Sequence, residues 1–300
     1  MSETKTTISR SYGNYNFPDY QGNFALKVFR RIIWLSSILC PNYTQKKLSK
    51  MIFEPRSKNK KINDVFLKSA VARDEVVLRS GKKNTYYIWG GSKPEILLVH
   101  GWESSSSNFR VLINCLEKKG YSVVSFDACA HGNSEGSEAD MNDFIDGIIS
   151  LSKKFTSIRC AIGYSFGGLA LLNAINHGLD LEKVGIISAP SSFYGIFEKV
   201  AAQLKLSRSI QDHLSRVLIE RYKINDKNWD KYSSYDFASN MTVPLVAIHD
   251  KNDTYILSIE SEILAKLWPG SKLLETEKLG HRGILKNHLA MNSLIDELSI

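Results

Sequence analysis

The sequence lacks the patterns that would place the protein across a membrane or in the secretory pathway. No uninterrupted apolar run reaches the roughly 20 residues that a membrane-spanning helix needs. The polar start of the chain is not followed by an apolar segment with a small-residue cleavage site, so we expect no secretory signal peptide.

Paired cysteines and clustered metal ligands are also missing. The four cysteines show no C-x-x-C spacing and mostly fall in apolar segments: Cys40, Cys115, Cys129 and Cys160. Free thiols in a reducing compartment are the simplest interpretation, and we expect a cytoplasmic protein. No His/Cys cluster has metal-ligand spacing, so we expect neither a metal nor another cofactor.

A net positive charge is missing outside the start of the chain. The formal net charge is +8, yet residues 1–61 hold 12 Lys+Arg against 3 Asp+Glu, and residues 62–300 hold 27 against 28. The body of the protein is therefore close to neutral. A neutral body is a poor candidate for binding the phosphate backbone, and we expect no nucleic-acid partner.

The basic start contains a predicted amphipathic helix over residues 23–40. Its apolar residues recur at three- and four-residue steps: Phe24, Val28, Ile32, Leu35 and Leu39. Lys27, Arg30 and Arg31 cluster on another side. Two interpretations stay open: peripheral contact with an anionic membrane, with Trp34 as interfacial anchor, or packing on the main domain or over the mouth of its functional site.

The rest of the chain alternates strands with helices. A second short helix is predicted at about 44–53, and the charged stretch 56–61 is interpreted as a linker. The predicted strands are 75–79 and 85–89, forming a hairpin, then 95–100, 121–127, 158–163, 183–189, 243–250 and 271–276. The predicted helices between them are 107–119, 141–154, one after residue 165, one near 259–267 and one after residue 282.

This alternation predicts an α/β fold with a mostly parallel sheet covered by helices on both faces. We expect a basic N-terminal extension of residues 1–61 and an α/β domain of residues 62–300. The α/β domain has an insertion at about 190–240 that contains no strong strand but two helical stretches. In parallel sheets, functional sites collect at the carboxyl ends of the strands.

A serine lies at one such strand end. The apolar run that begins at Ile158 stops in Gly163-Tyr164-Ser165-Phe166-Gly167, and a helical pattern follows at once. Glycines two residues on either side of Ser165 let strand and helix approach closely, which holds the hydroxyl out at the strand end. The N–H of Phe166, at the start of the helix, has no intrahelical partner and can face an oxyanion.

Other strand ends supply candidate partners for Ser165. The 95–100 strand ends in His100-Gly101-Trp102-Glu103, where the bend that Gly101 permits can turn the N–H of Trp102 toward the site. The next-to-last strand ends with two acids, Asp250 and Asp253, and the last strand leads to His281. His100 precedes its turn, so we interpret it as structural.

Five segments together resemble the α/β-hydrolase family: HGW ending at Trp102, DACAHGNSEG at 127–136, GYSFGG around Ser165, HDKND at 249–253 and GHRGIL around His281. They occur in that family's order and cover roughly residues 73–300. The resemblance implies a catalytic triad of Ser165, Asp253 and His281, with oxyanion N–H groups from Trp102 and Phe166.

The resemblance leaves one position of the triad open and excludes one histidine from it. The family's H-G-x-x-D pattern has a glycine where this chain has Asp250, which leaves Asp250 as an alternative triad acid. The segment 127–136 is usually a structural turn in that family, so His131 is not assigned to catalysis.

A serine at this position favours acyl transfer to an alcohol oxygen. The first hypothesis is a serine hydrolase, similar to esterases and lipases, that cleaves a small carboxylic ester with an apolar acyl group. The insertion would then be a lid, and Phe193, Tyr194, Phe197, Leu214 and Leu218 are candidates to line the acyl pocket. The alternatives are a peptidase or thioesterase of the same fold, with Glu103 or lid acids holding a substrate amine in the peptidase case, and a non-catalytic binding protein.

Overall fold

The computed structural model describes residues 24–56, 65–224 and 231–300. Most of the predicted linker at 56–61 therefore lies outside the described residues. The described part divides into an α/β unit, formed by residues 54–191 and 234–300, and a helical unit, formed by residues up to 53 and residues 192–233.

The α/β unit contains one sheet of eight strands. In chain order they are β1 Ala72–Val77, β2 Lys83–Trp89, β3 Ile96–Val99, β4 Val123–Phe126, β5 Cys160–Tyr164, β6 Lys183–Ile187, β7 Leu245–Asp250 and β8 Lys272–Thr276. Their order across the sheet is β1-β2-β4-β3-β5-β6-β7-β8. Only β2 runs against its neighbours, pairing antiparallel with β1 and with β4, and the other strands are parallel.

Ten α-helices are present in the described residues. Two precede the sheet, α1 Phe24–Leu39 and α2 Pro41–Phe53. The helices of the α/β unit are α3 Arg110–Lys118, α4 Met141–Lys154, α5 Phe166–Asn176, α8 Ser258–Leu267, α9 Gly280–Gly283 and α10 His288–Leu298. The insertion contributes α6 Phe193–Leu204 and α7 Arg208–Tyr222.

The central strands are buried on both faces, as their continuous apolar runs predict. Ile96 and Leu98 belong to a core that also holds residues of α3 and α10. Leu97 and Val99 are equally buried, and because successive side chains alternate they face the opposite side. There α4 packs so closely on β4 that a Cβ at Gly147 would lie 2.7 Å from the Phe126 ring. The predicted α/β architecture with helices on both faces is confirmed.

The helical unit joins two distant parts of the sequence. The residues of its core come from α1 and α2 and from the insertion: Ile33, Leu48, Ala201, Leu206, Ile210 and Leu214. Further contacts connect the same elements, since Ser49 Oγ lies 3.1 Å from His213 Nε2 and Arg30 Nε donates to the Gln203 carbonyl at 2.8 Å. The N-terminal helices and the insertion helices thus form one packed unit, although the sequence analysis treats them as separate segments.

The insertion leaves and re-enters the α/β unit at adjacent points. It leaves after Ser191, which follows β6, and the chain returns at Ser234, whose N–H donates to the Ser191 carbonyl at 2.8 Å. The Ser191 N–H donates to the buried carboxylate of Glu260 on α8. Both ends of the insertion are therefore fixed beyond the carboxyl end of β6, the edge of the sheet where functional residues collect.

Candidate active site

The turn between β5 and α5 holds Ser165 in a strained conformation. Its φ is 52° and its ψ is −126°, in a region that residues with a side chain rarely adopt. Close packing leaves no room to relax: a Cβ at Gly163 would lie 2.5 Å from the Cα of Gly168, and one at Gly167 would lie 2.2 Å from the carbonyl oxygen of His100. The glycines that flank the serine thus permit the close approach that the sequence predicts.

Ser165, His281 and Asp253 form one chain of hydrogen bonds. The Oγ of Ser165 lies 3.0 Å from His281 Nε2, and His281 Nδ1 lies 2.7 Å from Asp253 Oδ2. The serine comes from the end of β5, the aspartate from the loop after β7 and the histidine from the loop after β8. With Nδ1 donating to the carboxylate, Nε2 is left to accept the proton of the serine hydroxyl.

The carboxylate of Asp253 is fully enclosed and well supplied with donors. Its Oδ1 accepts from the backbone N–H groups of Tyr255 at 2.8 Å and Ile256 at 2.9 Å, while Oδ2 accepts from His281 and lies 3.4 Å from His249 Nε2. Burial raises the pKa of Asp253, but the hydrogen bonds from His249 and His281 outweigh it, and the net pKa lies well below the ordinary value. Asp253 is therefore ionised at neutral pH.

The alternative acid, Asp250, has a different set of partners. It accepts from the N–H groups of Leu279 at 3.0 Å and Gly280 at 2.9 Å, the two residues before His281. It also accepts from Thr276 Oγ1 at 2.8 Å and from the N–H of Asn252 at 3.0 Å. The structure thus brings Asp253, and not Asp250, to His281. Asp250 instead ties down the loop that carries the histidine.

Trp102 and Phe166 are neighbours in sequence of two residues that meet at the serine turn, Gly101 and Ser165. Phe166 is the first residue of α5, and Gly101 approaches Ser165 so closely that a Cβ on it would lie 2.9 Å from the serine Cβ. Within the described ranges neither N–H donates to another residue. Neither group is therefore committed to an acceptor within the protein, as the oxyanion role proposed below requires.

Comparisons with known proteins agree with this architecture. A family model described as the alpha/beta hydrolase fold matches residues 94–177, which run from β3 past the serine turn. An esterase from Pyrococcus furiosus is 20% identical with a TM-score of 0.61, over 82% of this chain and 95% of its own. The chain has the α/β-hydrolase fold. No curated protein sequence matches it at a significant level.

Two further solved structures show the breadth of this fold. An esterase from Exiguobacterium antarcticum is 17% identical with a TM-score of 0.59, over 76% of this chain and 100% of its own. A meta-cleavage product hydrolase from Pseudomonas fluorescens IP01 is 15% identical with a TM-score of 0.55, over 75% and 97%. Each neighbour is matched almost completely, whereas about a fifth to a quarter of this chain has no counterpart in it.

Two other histidines near the site have structural partners. His100 donates from Nδ1 to the Gly101 carbonyl at 2.7 Å and accepts at Nε2 from the N–H of Ala128 at 2.9 Å. His131 Nδ1 lies 2.8 Å from the Cys129 carbonyl. Burial lowers the pKa of His100 to about 4 and that of His131 to about 3, so both are neutral. Neither is hydrogen-bonded to the Ser165-His281-Asp253 chain.

Two tyrosines that no sequence motif indicated flank His281. The ring of Tyr164 lies 5.1 Å from the imidazole and that of Tyr255 lies 5.4 Å from it, and the Tyr164 hydroxyl donates to the His281 carbonyl at 3.0 Å. The rings limit the rotation of the imidazole between its two hydrogen bonds. Tyr164 occupies one of the two variable positions of G-x-S-x-G, so the motif alone does not point to it.

Glu103 is already paired. Its carboxylate accepts from the N–H of Arg56 at 3.0 Å and from the Arg56 Nε at 2.8 Å, and the guanidinium also donates through Nη2. Burial raises the pKa of Glu103, but the hydrogen bonds from Arg56 outweigh it and the net pKa is lowered. The sequence analysis offered Glu103 as a site for a substrate amine, and the structure commits this carboxylate to Arg56.

The candidate acyl-pocket residues lie on the insertion helices. Phe193, Tyr194 and Phe197 belong to α6, and together with Leu218 and Ile224 they line a small apolar crevice inside the helical unit. Leu214 is buried in the core of that unit. No group of three or more His, Cys, Asp or Glu side chains in the described ranges is arranged to hold a metal ion.

The packing around the serine turn predicts a stability effect at Gly167. In Gly167→Ala the new methyl group would lie 2.2 Å from the His100 carbonyl and 2.4 Å from that of Val99. Both contacts are with backbone, so strand or helix must shift, and we expect a loss of about 3 kcal/mol in the free energy of unfolding. Urea unfolding measures this loss.

Gly91→Ala is the control for this substitution. A Cβ at Gly91 would meet only the Ser122 side chain, at ordinary contact distances of 3.6 and 3.7 Å. We expect the free energy of unfolding of this variant to lie within about 1 kcal/mol of the wild-type value. That margin allows for the general effect of replacing glycine by alanine. Equal midpoints for Gly167→Ala and Gly91→Ala would contradict the tight packing of the turn.

Proposed function

We propose that the protein is a serine hydrolase that cleaves a carboxylic ester of an apolar acyl group through an acyl-enzyme intermediate. The observation that carries this proposal is the unbroken hydrogen-bond chain from Ser165 Oγ through His281 to Asp253. The family-model match and the esterases among the structural neighbours support a hydrolase.

In this mechanism the acyl carbon is attacked by the Ser165 oxygen while His281 Nε2 takes the hydroxyl proton. The carbonyl oxygen becomes negatively charged and accepts hydrogen bonds from the N–H groups of Trp102 and Phe166. His281 then donates the proton to the leaving alcohol as the ester bond breaks. Asp253 keeps the imidazole oriented and stabilises the imidazolium that forms between the two steps.

Water completes the cycle by the same route. His281 takes a proton from a water molecule as its oxygen attacks the acyl-enzyme, and returns that proton to the Ser165 oxygen as the acid leaves. Every proton is accounted for by substrate, water, serine and histidine. The strained backbone at Ser165 keeps the hydroxyl in place for both halves of the reaction.

The pairing of Glu103 with Arg56 favours an ester over an aminoacyl substrate. A substrate amine near Trp102 would need an unpaired carboxylate, and Glu103 is the acid that follows Trp102 directly. Because Arg56 already supplies three donors to Glu103, displacing it would cost an existing charge-assisted pair. The peptidase alternative therefore has less support than the ester hypothesis, and thioester cleavage uses the same machinery.

A substrate series tests this proposal. p-Nitrophenyl esters from acetate to long acyl chains should be hydrolysed, with a preference for chains longer than acetate if the acyl pocket is apolar. Aminoacyl p-nitroanilides and acyl thioesters should be assayed in parallel. If these substrates turn over and every ester is inert, the ester hypothesis is wrong and the preferred bond identifies the alternative.

A further inference from the structure

The outward side of α1 is apolar and uncovered. The apolar side chains on this side are exposed to solvent: Phe24, Val28, Ile32, Trp34, Leu35, Ile38 and Leu39. The exposed fractions reach 79% for Phe24, 62% for Trp34 and 60% for Ile38. We name these seven residues the α1 face. Seven exposed apolar side chains on one side of a helix indicate a binding site for a partner or a membrane.

The inward side of the same helix explains why the α1 face remains free. Ile33 is the one residue of α1 that is fully buried, and it packs in the small core with Leu48, Ile210 and Leu214. Phe29 and the guanidinium of Arg30 support the same contact, the latter through its bond to the Gln203 carbonyl. One side of α1 is therefore seated on its own helical unit, and the apolar α1 face lies opposite.

The charge around the α1 face favours one kind of binding partner over another. Helices α1 and α2 carry six cations, namely Lys27, Arg30, Arg31, Lys46, Lys47 and Lys50, and no acidic residue between Phe24 and Phe53. Lys27 and Arg31 are exposed, and at about 100° per residue they fall between Trp34 and Phe24 around the helix. They therefore lie within the arc of the α1 face, and not on a separate side as the apolar pattern of five residues indicates. A second copy of this chain would bring the same positive charges against each other. An anionic surface would instead pair with them.

We propose that the α1 face lies in the surface of a lipid bilayer that contains anionic lipids. None of the helices in the described ranges combines the length and hydropathy that a membrane crossing requires. A helix of 16 residues, about 24 Å long, fits an orientation parallel to the membrane plane, with apolar residues among the acyl chains and Lys27 and Arg31 at the headgroups. Trp34 then lies at the membrane–water interface, where tryptophan side chains are enriched in membrane proteins.

Vesicle binding of the full chain tests this proposal without any assay of turnover. Sedimentation is measured with vesicles of phosphatidylcholine alone and with vesicles that contain 30 mol% phosphatidylserine. We expect binding to the mixed vesicles at least tenfold stronger than to the neutral ones, and weaker as salt is raised. Because no substrate is used, the result does not depend on the proposed ester chemistry.

Two double variants separate the apolar and the charged contributions. Leu35→Gln with Ile38→Gln should lower the partition coefficient between vesicles and water at least tenfold. The two wild-type side chains are exposed in water and become buried among acyl chains on binding, and glutamine loses that gain. Lys27→Gln with Arg31→Gln should lower it about 30-fold on mixed vesicles and little on neutral ones. In addition, the tryptophan fluorescence of the wild type should shift to shorter wavelength when vesicles are bound, and this shift should be absent in Trp34→Phe.

The control is a pair of apolar residues in the α/β unit that are at least as exposed as Leu35 and Ile38. Val71→Gln with Leu289→Gln removes side chains that are 64% and 78% exposed, and this variant should bind as the wild type does. The proposal is overturned if the wild type binds neither kind of vesicle, or if the Leu35/Ile38 variant binds unchanged. A wild-type dimer that binds no vesicles and dissociates in the Leu35/Ile38 variant would identify a second copy as the occupant.

Discussion

Ser165→Ala should reduce kcat on the best ester substrate by roughly 10⁴-fold or more, because no other group in the hydrogen-bond chain can form the acyl-enzyme. A fluorescent phosphonate that labels activated serines should modify the wild type and leave Ser165→Ala unlabelled. The labelling needs no knowledge of the natural substrate, so it tests the role of Ser165 even if the ester series fails. Labelling that persists in Ser165→Ala would show that another residue reacts.

Ser165→Gly is the matched control for the fold. Both substitutions remove the hydroxyl, but only glycine adopts a φ of 52° without strain. The glycine variant should therefore be more stable than the alanine variant by about 1 kcal/mol, after the extra freedom of glycine in the unfolded chain is allowed for. Equal inactivity with unequal stability would show that the lost activity comes from the hydroxyl and that the turn stores strain.

Asp253→Asn and Asp250→Asn should have opposite profiles. Asp253→Asn removes the charge that orients His281 and should lower kcat roughly 10⁴-fold, the size of effect known for the corresponding change in a serine protease triad. Asp250→Asn keeps the shape of the side chain but mismatches its four donors, so it should cost about 1 to 3 kcal/mol of stability and at most about tenfold in kcat. Steady-state kinetics and urea unfolding of both variants measure the contrast.

The pH dependence of stability gives these variants a second readout. The pKa values of Asp250 and Asp253 are both lowered in the folded protein, so each contributes stability that is present above the carboxyl pKa of the unfolded chain. That contribution is lost as the pH falls through the pKa values that the two carboxyl groups have in the folded protein. As the pH is lowered from about 5, either asparagine variant should therefore lose less stability than the wild type.

The activity contrast has its own contradicting outcome. A larger activity loss in Asp250→Asn than in Asp253→Asn would reverse the assignment of their roles.

Local patterns predicted the elements of the fold well. The helix expected at 141–154 is found at Met141–Lys154, where Asp140 and Asp143 form a capping box that fixes its start. The 75–79 and 85–89 hairpin and the six later strands are present within a few residues. These elements are defined by hydrophobic period, caps and glycines, all of which are local properties that the sequence displays directly.

The packing between distant segments was harder to predict. Two acids close the β7 segment, and sequence alone left both as candidates for His281. The structure separates them because Asp250 receives the N–H groups of Leu279 and Gly280, a contact that depends on how the β8 loop folds back. Tyr255 lies beside His281 for the same reason. Such contacts join loops about 30 residues apart and leave no periodic trace in the sequence.

The shared core of α1, α2 and the insertion helices has a consequence for synthesis on the ribosome. Leu48 is made about 160 residues before Ile210, its partner in that core. At roughly 5 to 20 residues per second, the first two helices wait on the order of 10 to 30 s with their apolar sides unpaired. During that interval the apolar sides of the two helices are exposed and can be bound by chaperones. Slowing translation between residues 53 and 192 would prolong this exposure.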